Sequence, residues 1–530
     1  MSTEVVSEQQ RQALAGRFGP LGPYEVEIDE SLTVVAGDGA GLATTLARPR
    51  VEGKVPAVLE RTPYGRSPLA PDATGFAPDA VVWASYGYAC VMQDTRTTTS
   101  YFAEAADGAA TVRWIEAQPW FDGCLGVAGY SYLAFTALAT ASTRPGCLKA
   151  IATSVYSADR VSSWYPGGTF DLQLAMIWAT LQQTGSKEAT EDPFMHLPLG
   201  DADVATTGRT LDFFQERLAH GRGDPHWKPL DMTAVLDDPP APVLHVGGWY
   251  DFHRVPCFAD FERLNATDVP HRLVLGPWTH GGVDDRLHMQ EKLAWFDTHV
   301  RGAQARRFPV LRYYRTGEHA GWEELDSWHE PSTSALYATS DQQLQPGLVT
   351  ETGRVEWTYN PADPTPSVML TLGFDDTDVS GPFDDGVLED RPDVRFFTSG
   401  PLQDPVDCLG RVTAQTTLFS DAQSADLFVR VLDVLGTGET VNVGQGILRV
   451  TDPALGTEGV PVRVDLGPVA HRFARGHRIR LLIASAAHPY FNRNLGTGES
   501  PVTATRIVIA HQGVSIGGAG GLRVNLPLAS

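Results

Sequence analysis

The sequence predicts an α/β architecture over its first 320 or so residues and an all-β one over the rest. Three observations carry that expectation. Val/Ile/Leu-rich runs separated by longer connections occupy the region from about residue 34 to 156. A long interval with helical apolar spacing interrupts them. Beyond residue 320, short alternating segments appear between clusters of Gly, Pro, Asp and Asn.

Apolar runs at residues 56–60, 88–93, 125–128 and 148–155 are long enough for strands and are joined by connections that suit helical crossovers, so they predict a mainly parallel sheet. Two further runs, at 241–246 and 271–275, extend it. Between the fourth and fifth runs the chain holds about eighty residues more than one strand–helix–strand step needs. Segments 170–178 and 211–218 within that interval carry apolar residues at helical spacing. The interval is therefore expected to be a helical cap over residues 158–238, inserted into a discontinuous core of residues 1–157 and 239–320. Segments 335–339, 426–432 and 478–483 alternate as strands, so residues 321–530 predict an antiparallel sandwich. The glycine run at 517–521 lacks the lysine and the strand-to-helix setting of a phosphate loop and reads as a hairpin turn.

Composition fits a large globular protein, with 42% hydrophobic and 20% charged residues, and 530 residues exceed one core. A formal net charge of −23 argues against sequence-independent nucleic-acid binding. No stretch has the length and apolarity of a membrane span, and the first ten residues lack the basic and apolar regions of a secretory signal. Five scattered cysteines (Cys90, Cys124, Cys147, Cys257 and Cys408) have no metal-ligand spacing and read as buried thiols of a reducing cytoplasm. Cys257 follows an acidic residue of interest but has no base of its own, so packing is its expected role.

The chemistry concentrates at Gly129-Tyr130-Ser131-Tyr132, where an apolar strand runs into a turn and an Ala/Leu-rich helix follows. That is the setting of a nucleophile elbow, which exposes a serine hydroxyl above a sheet. Gly129 fills the first glycine position of the elbow, whereas Leu133 stands where a second glycine is usual. An elbow serine needs a base and an acid, which α/β-hydrolases supply in the chain order Ser, Asp/Glu, His. Asp251 and His280 each follow a Val/Leu run and a glycine turn, at the strand carboxyl ends where open sheets place their sites. Asp251 would hold His280 in one tautomer, and His280 would take the proton of Ser131. His245 lies inside a strand and is expected to be packed. His253 is placed in the site region without being the base. Asp94 precedes the serine and is expected to pair with Arg96.

Arg61-Thr62-Pro63-Tyr64, Gln93-Asp94-Thr95-Arg96, Gln118-Pro119-Trp120-Phe121-Asp122-Gly123, the elbow, Gly248-Trp249-Tyr250-Asp251 and Gly276-Pro277-Trp278-Thr279-His280 together resemble the CocE/NonD hydrolases, the cocaine-esterase-like group of the X-Pro dipeptidyl-peptidase clan. The likeness continues through Gly476-His477-Arg478-Ile479-Arg480-Leu481 and Phe491-Asn492-Arg493-Asn494, so it covers nearly the whole chain. It implies an α/β-hydrolase core and a carboxyl-terminal jelly roll. It also implies Ser131, Asp251 and His280 as the triad, with the Tyr64 phenol and the Tyr132 N–H as the oxyanion hole. A homodimer is a further expectation, because related enzymes often form one. No metal and no organic cofactor are implied.

The departures bear on the substrate. Thr97-Thr98-Thr99 and Ala134 stand where the family often has glycine, which would reshape the pocket floor. Phe252-His253-Arg254 follows the triad acid, an aromatic and cationic run unsuited to binding a substrate ammonium, so a free α-amino substrate is disfavoured. Phe252 and His253, with Trp164, Tyr165 and Phe170 of the cap, are the expected pocket residues; for Arg254 a surface ion pair competes with a pocket role. The expected reaction is hydrolysis of a small ester or amide through an acyl-enzyme. The alternatives are acyl transfer to an amine, alcohol or thiol and, in another class, a non-catalytic binding protein.

Overall fold

The computed structural model describes residues 3–68, 78–96, 101–184, 193–303, 306–368 and 383–529. The chain divides into two compact units, one of residues 1–160, 228–313 and 324–328, the other of residues 161–227, 314–323 and 329–530. The helical interval 161–227 thus belongs to the same unit as the carboxyl-terminal strands.

The first unit is built on one mixed sheet. Its strands are β1 (Glu4–Val5), β2 (Val26–Val35), β3 (Gly41–Pro49), β4 (Val55–Thr62), β5 (Ala89–Asp94), β6 (Phe121–Tyr130), β7 (Leu148–Ser154), β8 (Val243–Gly248), β9 (His271–Gly276) and the first three residues, 311–313, of β10 (Leu311–Gly317). They pair in the spatial order β1-β2-β3-β5-β4-β6-β7-β8-β9-β10. The first three junctions are antiparallel and all the others parallel. Strands β4 and β8 are buried along their whole length and β9 over all but its first residue, as expected where helices cover both faces of a parallel sheet. Helix Tyr132–Ser142 packs on β4, β6 and β7 and buries every residue from Tyr132 to Ala141, which explains why it is apolar all round rather than amphipathic.

The second unit holds helices Leu172–Thr184 and Asp212–Ala219 and an all-β region. Strand Val406–Ser420 pairs antiparallel with Val460–Phe473, Ala510–Ile516 and Arg523–Pro527. Strand Ser424–Val434 pairs antiparallel with Thr440–Thr451 and Arg478–Ala484. The two sets share one core that includes Val412, Leu418, Val429, Val431, Leu481, Ile483, Val514 and Val524.

Three expectations need correction. The glycine run at 517–521 is not a hairpin turn. Gln512–Val514 and Arg523–Asn525 both run antiparallel to the strand Val406–Ser420, at successive positions along it, so the chain continues in one direction through the run. Positive φ at Gly517 and Gly518 lets the backbone loop out, and a Cβ at Gly517 would lie 1.8 Å from the Glu351 carbonyl oxygen. Asp94 does not pair with Arg96. It meets Arg66 at 3.3 Å, while Arg96 lies beyond the strand end and is drawn to Asp107 and Asp38 (2.7 and 2.6 Å). Cys124 is half-buried rather than buried, near the exposed start of β6. Thr97, Thr98 and Thr99 lie outside the described residues.

Candidate active site

Ser131 sits between β6 and helix Tyr132–Ser142 with φ 54° and ψ −119°, a conformation that non-glycine residues rarely adopt. The serine N–H donates to the Ser154 carbonyl at 2.9 Å, and its own carbonyl accepts from Ala134 N–H at 2.9 Å, so both sides of the bend are tied. Gly129 is required by the return of the chain, because a Cβ there would lie 2.1 Å from the Leu133 carbonyl carbon and oxygen. Leu133 takes the place of the second elbow glycine without obstructing the turn.

The loops that carry Asp251 and His280 are knitted by their glycines. Trp249 N–H donates to the Gly276 carbonyl and Tyr250 N–H to the Trp278 carbonyl, both at 2.9 Å. A Cβ on Gly248 would meet the Trp278 oxygen at 2.1 Å, and one on Gly276 would enter the Trp278 ring at 2.3 Å. These close approaches bring Asp251 and His280 together although 29 residues separate them.

His280 Nδ1 lies 3.1 Å from Asp251 Oδ1, and His280 Nε2 lies 2.9 Å from Ser131 Oγ. Asp251 and His280 are buried. Burial would raise the Asp251 carboxyl, but His280 beside it and the His253 N–H, which donates to Oδ1 at 3.0 Å, outweigh burial and hold it below its ordinary range. An ionised Oδ1 facing Nδ1 favours the tautomer protonated on Nδ1, which would leave Nε2 able to accept from the serine. Phe252 stacks on His280 with ring centroids 4.3 Å apart, and the His253 ring lies 5.7 Å from it.

Strand β4 pairs in parallel with β6, with Leu59 opposite Val127; five residues further along each chain stand Tyr64 and Tyr132. Tyr64 is 41% exposed at the carboxyl end of β4. Tyr132 opens its helix, so its N–H has no acceptor one turn back. Its buried side chain donates to Glu104 at 3.1 Å, and Glu104 in turn meets Arg61 at 2.7 Å.

Of the pocket candidates in the second unit, Trp164 belongs to an aromatic core with Phe213 and Trp227 (5.9 and 5.1 Å). Tyr165 and Phe170 line a cavity of that unit. His245 is packed against Thr153 Oγ1, and burial, with His271 nearby, lowers it to about 3. Arg254 is half-buried at the start of its helix, and its N–H donates to the Asp251 carbonyl at 3.0 Å. Cys257 is fully buried, and burial pushes its thiol well above the ordinary range.

Sequence reasoning missed three supports. The Tyr130 hydroxyl donates to the His280 backbone carbonyl. Ser154 Oγ, on the strand whose carbonyl holds Ser131, lies 2.7 Å from His288 Nε2. The Arg160 guanidinium lies 4.9, 5.4, 5.9 and 5.6 Å from the ring centres of Tyr101, Tyr132, Phe135 and Tyr156. Only Tyr130, adjacent to the serine, carried a positional signal. Among the described residues, no group of three or more His, Cys, Asp or Glu side chains is arranged to hold a metal ion.

The strand order and the strained turn after β6 are those of an α/β-hydrolase. X-Pro dipeptidyl-peptidase (S15 family) matches residues 38–282, and the X-Pro dipeptidyl-peptidase C-terminal non-catalytic domain matches residues 304–519. Cocaine esterase of Rhodococcus sp. is 29% identical over 90% of this chain and 93% of its own length. An aminopeptidase of a marine-sediment Thaumarchaeota archaeon shares the fold with a TM-score of 0.82 at 21% identity, covering 96% of this chain and 97% of its own. A CocE/NonD family hydrolase of Staphylococcus aureus does so with a TM-score of 0.71 at 17% identity, over 95% and 94%. The chain thus carries an S15 peptidase domain followed by the carboxyl-terminal domain of the X-Pro dipeptidyl-peptidases, is similar to the CocE/NonD hydrolases, and is an enzyme of the hydrolase class. No helix among the described residues is long and apolar enough to cross a membrane.

Proposed function

We propose that the enzyme hydrolyses a small acyl ester through an acyl-enzyme on Ser131, with amides as slower substrates. The observation that carries this reading is the single line of contacts from Asp251 through His280 to Ser131, at 3.1 and 2.9 Å. His280 Nε2 removes the Ser131 proton as Oγ attacks the substrate carbonyl, and Asp251 stabilises the imidazolium that forms. The Tyr64 hydroxyl and the Tyr132 N–H donate to the oxyanion. Collapse of the tetrahedral adduct breaks the bond to the leaving group, which takes the proton from His280. Water, deprotonated by His280, then attacks the acyl carbon and releases the acid and free Ser131. The preference for esters follows the relative that is named as an esterase. Phe252 and His253, beside the base, supply an aromatic wall and a polar group for the bound substrate.

Turnover of p-nitrophenyl butyrate, with and without hydroxylamine, tests the reading. The expected result is one equivalent of nitrophenol released in a burst, butyryl hydroxamate formed when hydroxylamine is present, and neither product from Ser131→Ala. A burst retained by Ser131→Ala would overturn the assignment. Transfer to hydroxylamine with no hydrolysis in water would make the enzyme an acyltransferase.

A further inference from the structure

Both proposed oxyanion donors trace back to one buried carboxylate, that of Glu104. This residue opens the helix Glu104–Glu116 and is tied to β4 on one side and to the helix Tyr132–Ser142 on the other. The acyl hydrolysis proposed above assigns it no part.

Arg61 makes the first connection. Its Nη1 lies 2.7 Å from Glu104 Oε2 and donates to the Glu104 backbone carbonyl at 2.9 Å, so both the side chain and the main chain of residue 104 hold it. Its Nε donates to Gln93 Oε1 at 2.8 Å. Asp107 is more distant, at 3.6 Å, and is engaged by Arg96 at 2.7 Å, which leaves Glu104 as the principal anion facing Arg61. Arg61 stands near the end of β4, three residues before Tyr64, and the Tyr64 N–H donates to Thr62 Oγ1 at 3.0 Å. Fixing the Arg61 guanidinium therefore fixes the strand end that carries Tyr64.

Tyr132 makes the second connection, its hydroxyl donating to Glu104 Oε1 at 3.1 Å. The N–H of a helix's first residue points outward along the axis, so its aim depends on how the first turn is seated. Two contacts seat it here. One is the Tyr132 hydroxyl on Glu104, and the other is Thr136 Oγ1, 3.0 Å from the Arg61 carbonyl oxygen. One carboxylate thus braces with its two oxygens two elements, each of which carries a proposed donor.

Stability alone does not account for this arrangement. The Arg61 and Glu104 side chains are each 1% exposed, and Tyr132 is 1% exposed as well. Taking two charges out of water offsets much of their attraction, and packed apolar side chains in their place are often as stable. What charged partners add is direction, through short bonds to defined atoms. Resting on the oxyanion reading given above, we propose that Glu104 is a positioning residue of the reaction, holding the Tyr64 phenol and the Tyr132 N–H in fixed relation through Arg61 and the Tyr132 hydroxyl.

Two variants test this. Tyr132→Phe deletes one arm of the brace and keeps Arg61 paired with Glu104. Glu104→Asp keeps the charge that faces Arg61 but shortens the reach to both partners. Burst titration with p-nitrophenyl butyrate counts working Ser131 sites, so kcat is read per site whatever fraction of the chain is folded. Propyl trifluoromethyl ketone is the second probe. Ser131 Oγ adds to its carbonyl carbon, the Oγ proton passes to His280, and the carbonyl oxygen becomes an oxyanion facing the two donors. Each variant is expected to lower kcat per site about tenfold with KM little changed, and to weaken the ketone by about the same factor. Full kcat per site in either variant, with only a lower unfolding midpoint, would make the brace structural and overturn the proposal, as would a raised KM at unchanged kcat. Tyr64→Phe separates the two readings. If it too keeps full activity, the oxyanion assignment falls and the role of Glu104 with it; if it is slow while Tyr132→Phe and Glu104→Asp are not, only the role of Glu104 falls.

Discussion

The Phe252 ring lies against that of His280, with centroids 4.3 Å apart and planes 29° from parallel. The base of the proposed triad is thus held on one face by its neighbour in space, while Asp251 fixes its Nδ1 edge. Stacking of this kind is worth about 0.5–1.5 kcal/mol. Phe252→Ala is expected to lower kcat by roughly 2- to 12-fold if that energy acts on imidazole orientation. Steady-state kinetics on p-nitrophenyl butyrate checks it; an unchanged kcat would remove Phe252 from that role.

The backbone at Ser131 stores strain, because φ 54° with ψ −119° suits glycine. Such positions cost about 1–3 kcal/mol each. Ser131→Gly is expected to be more stable to urea than Ser131→Ala by about 1–2 kcal/mol, with neither variant active. Equal unfolding midpoints would show that the bend is not strained.

Tyr64→Phe removes the proposed oxyanion donor. Loss of one such donor costs about two to three orders of magnitude in rate. The expectation is a fall of that size in kcat with KM little changed, measured on the same ester. A rate equal to that of the unmodified enzyme would leave the Tyr132 N–H as the remaining donor of the proposal.

Asp260 gives a stability prediction. Burial pushes its carboxyl up to about 8, against opposing hydrogen bonds from the Ala158 N–H and Ser157. The folded chain therefore holds a proton that the unfolded chain releases. The stability this lends is present below the ordinary carboxylate range and is lost as pH rises toward 8. Asp260→Asn can mimic the protonated form at every pH. Its Tm relative to the unmodified chain is expected to rise between about pH 5 and pH 8 and to level off above that, read by thermal denaturation. A difference that does not change with pH would contradict the buried, protonated carboxyl.

Local pattern carried much of this structure. The apolar runs at 56–60, 88–93, 125–128 and 148–155 fall within β4 and β6 and along β5 and β7, because buried parallel strands need continuous apolar stretches. The serine turn was legible because Gly129 is demanded by a contact only four residues away, with Leu133. What pattern could not reveal was partner choice at a distance. Asp94 and Arg96 are near neighbours in sequence, yet each finds a partner elsewhere, Arg66 for one and Asp107 with Asp38 for the other. The glycine run at 517–521 has the composition of a hairpin turn, but both flanking strands use the same neighbour, Val406–Ser420, and so continue in line. Arg160 carries no signal in the sequence, because the rings around it come from three segments, Tyr101, Tyr132 with Phe135 on one helix, and Tyr156.

The most direct test of the central claim is intact mass after exposure to a fluorophosphonate, followed by peptide mapping. The account predicts one adduct per chain, on Ser131, lost in His280→Ala because the serine then has no base. An adduct on another residue, or labelling of His280→Ala at the unmodified rate, would contradict it.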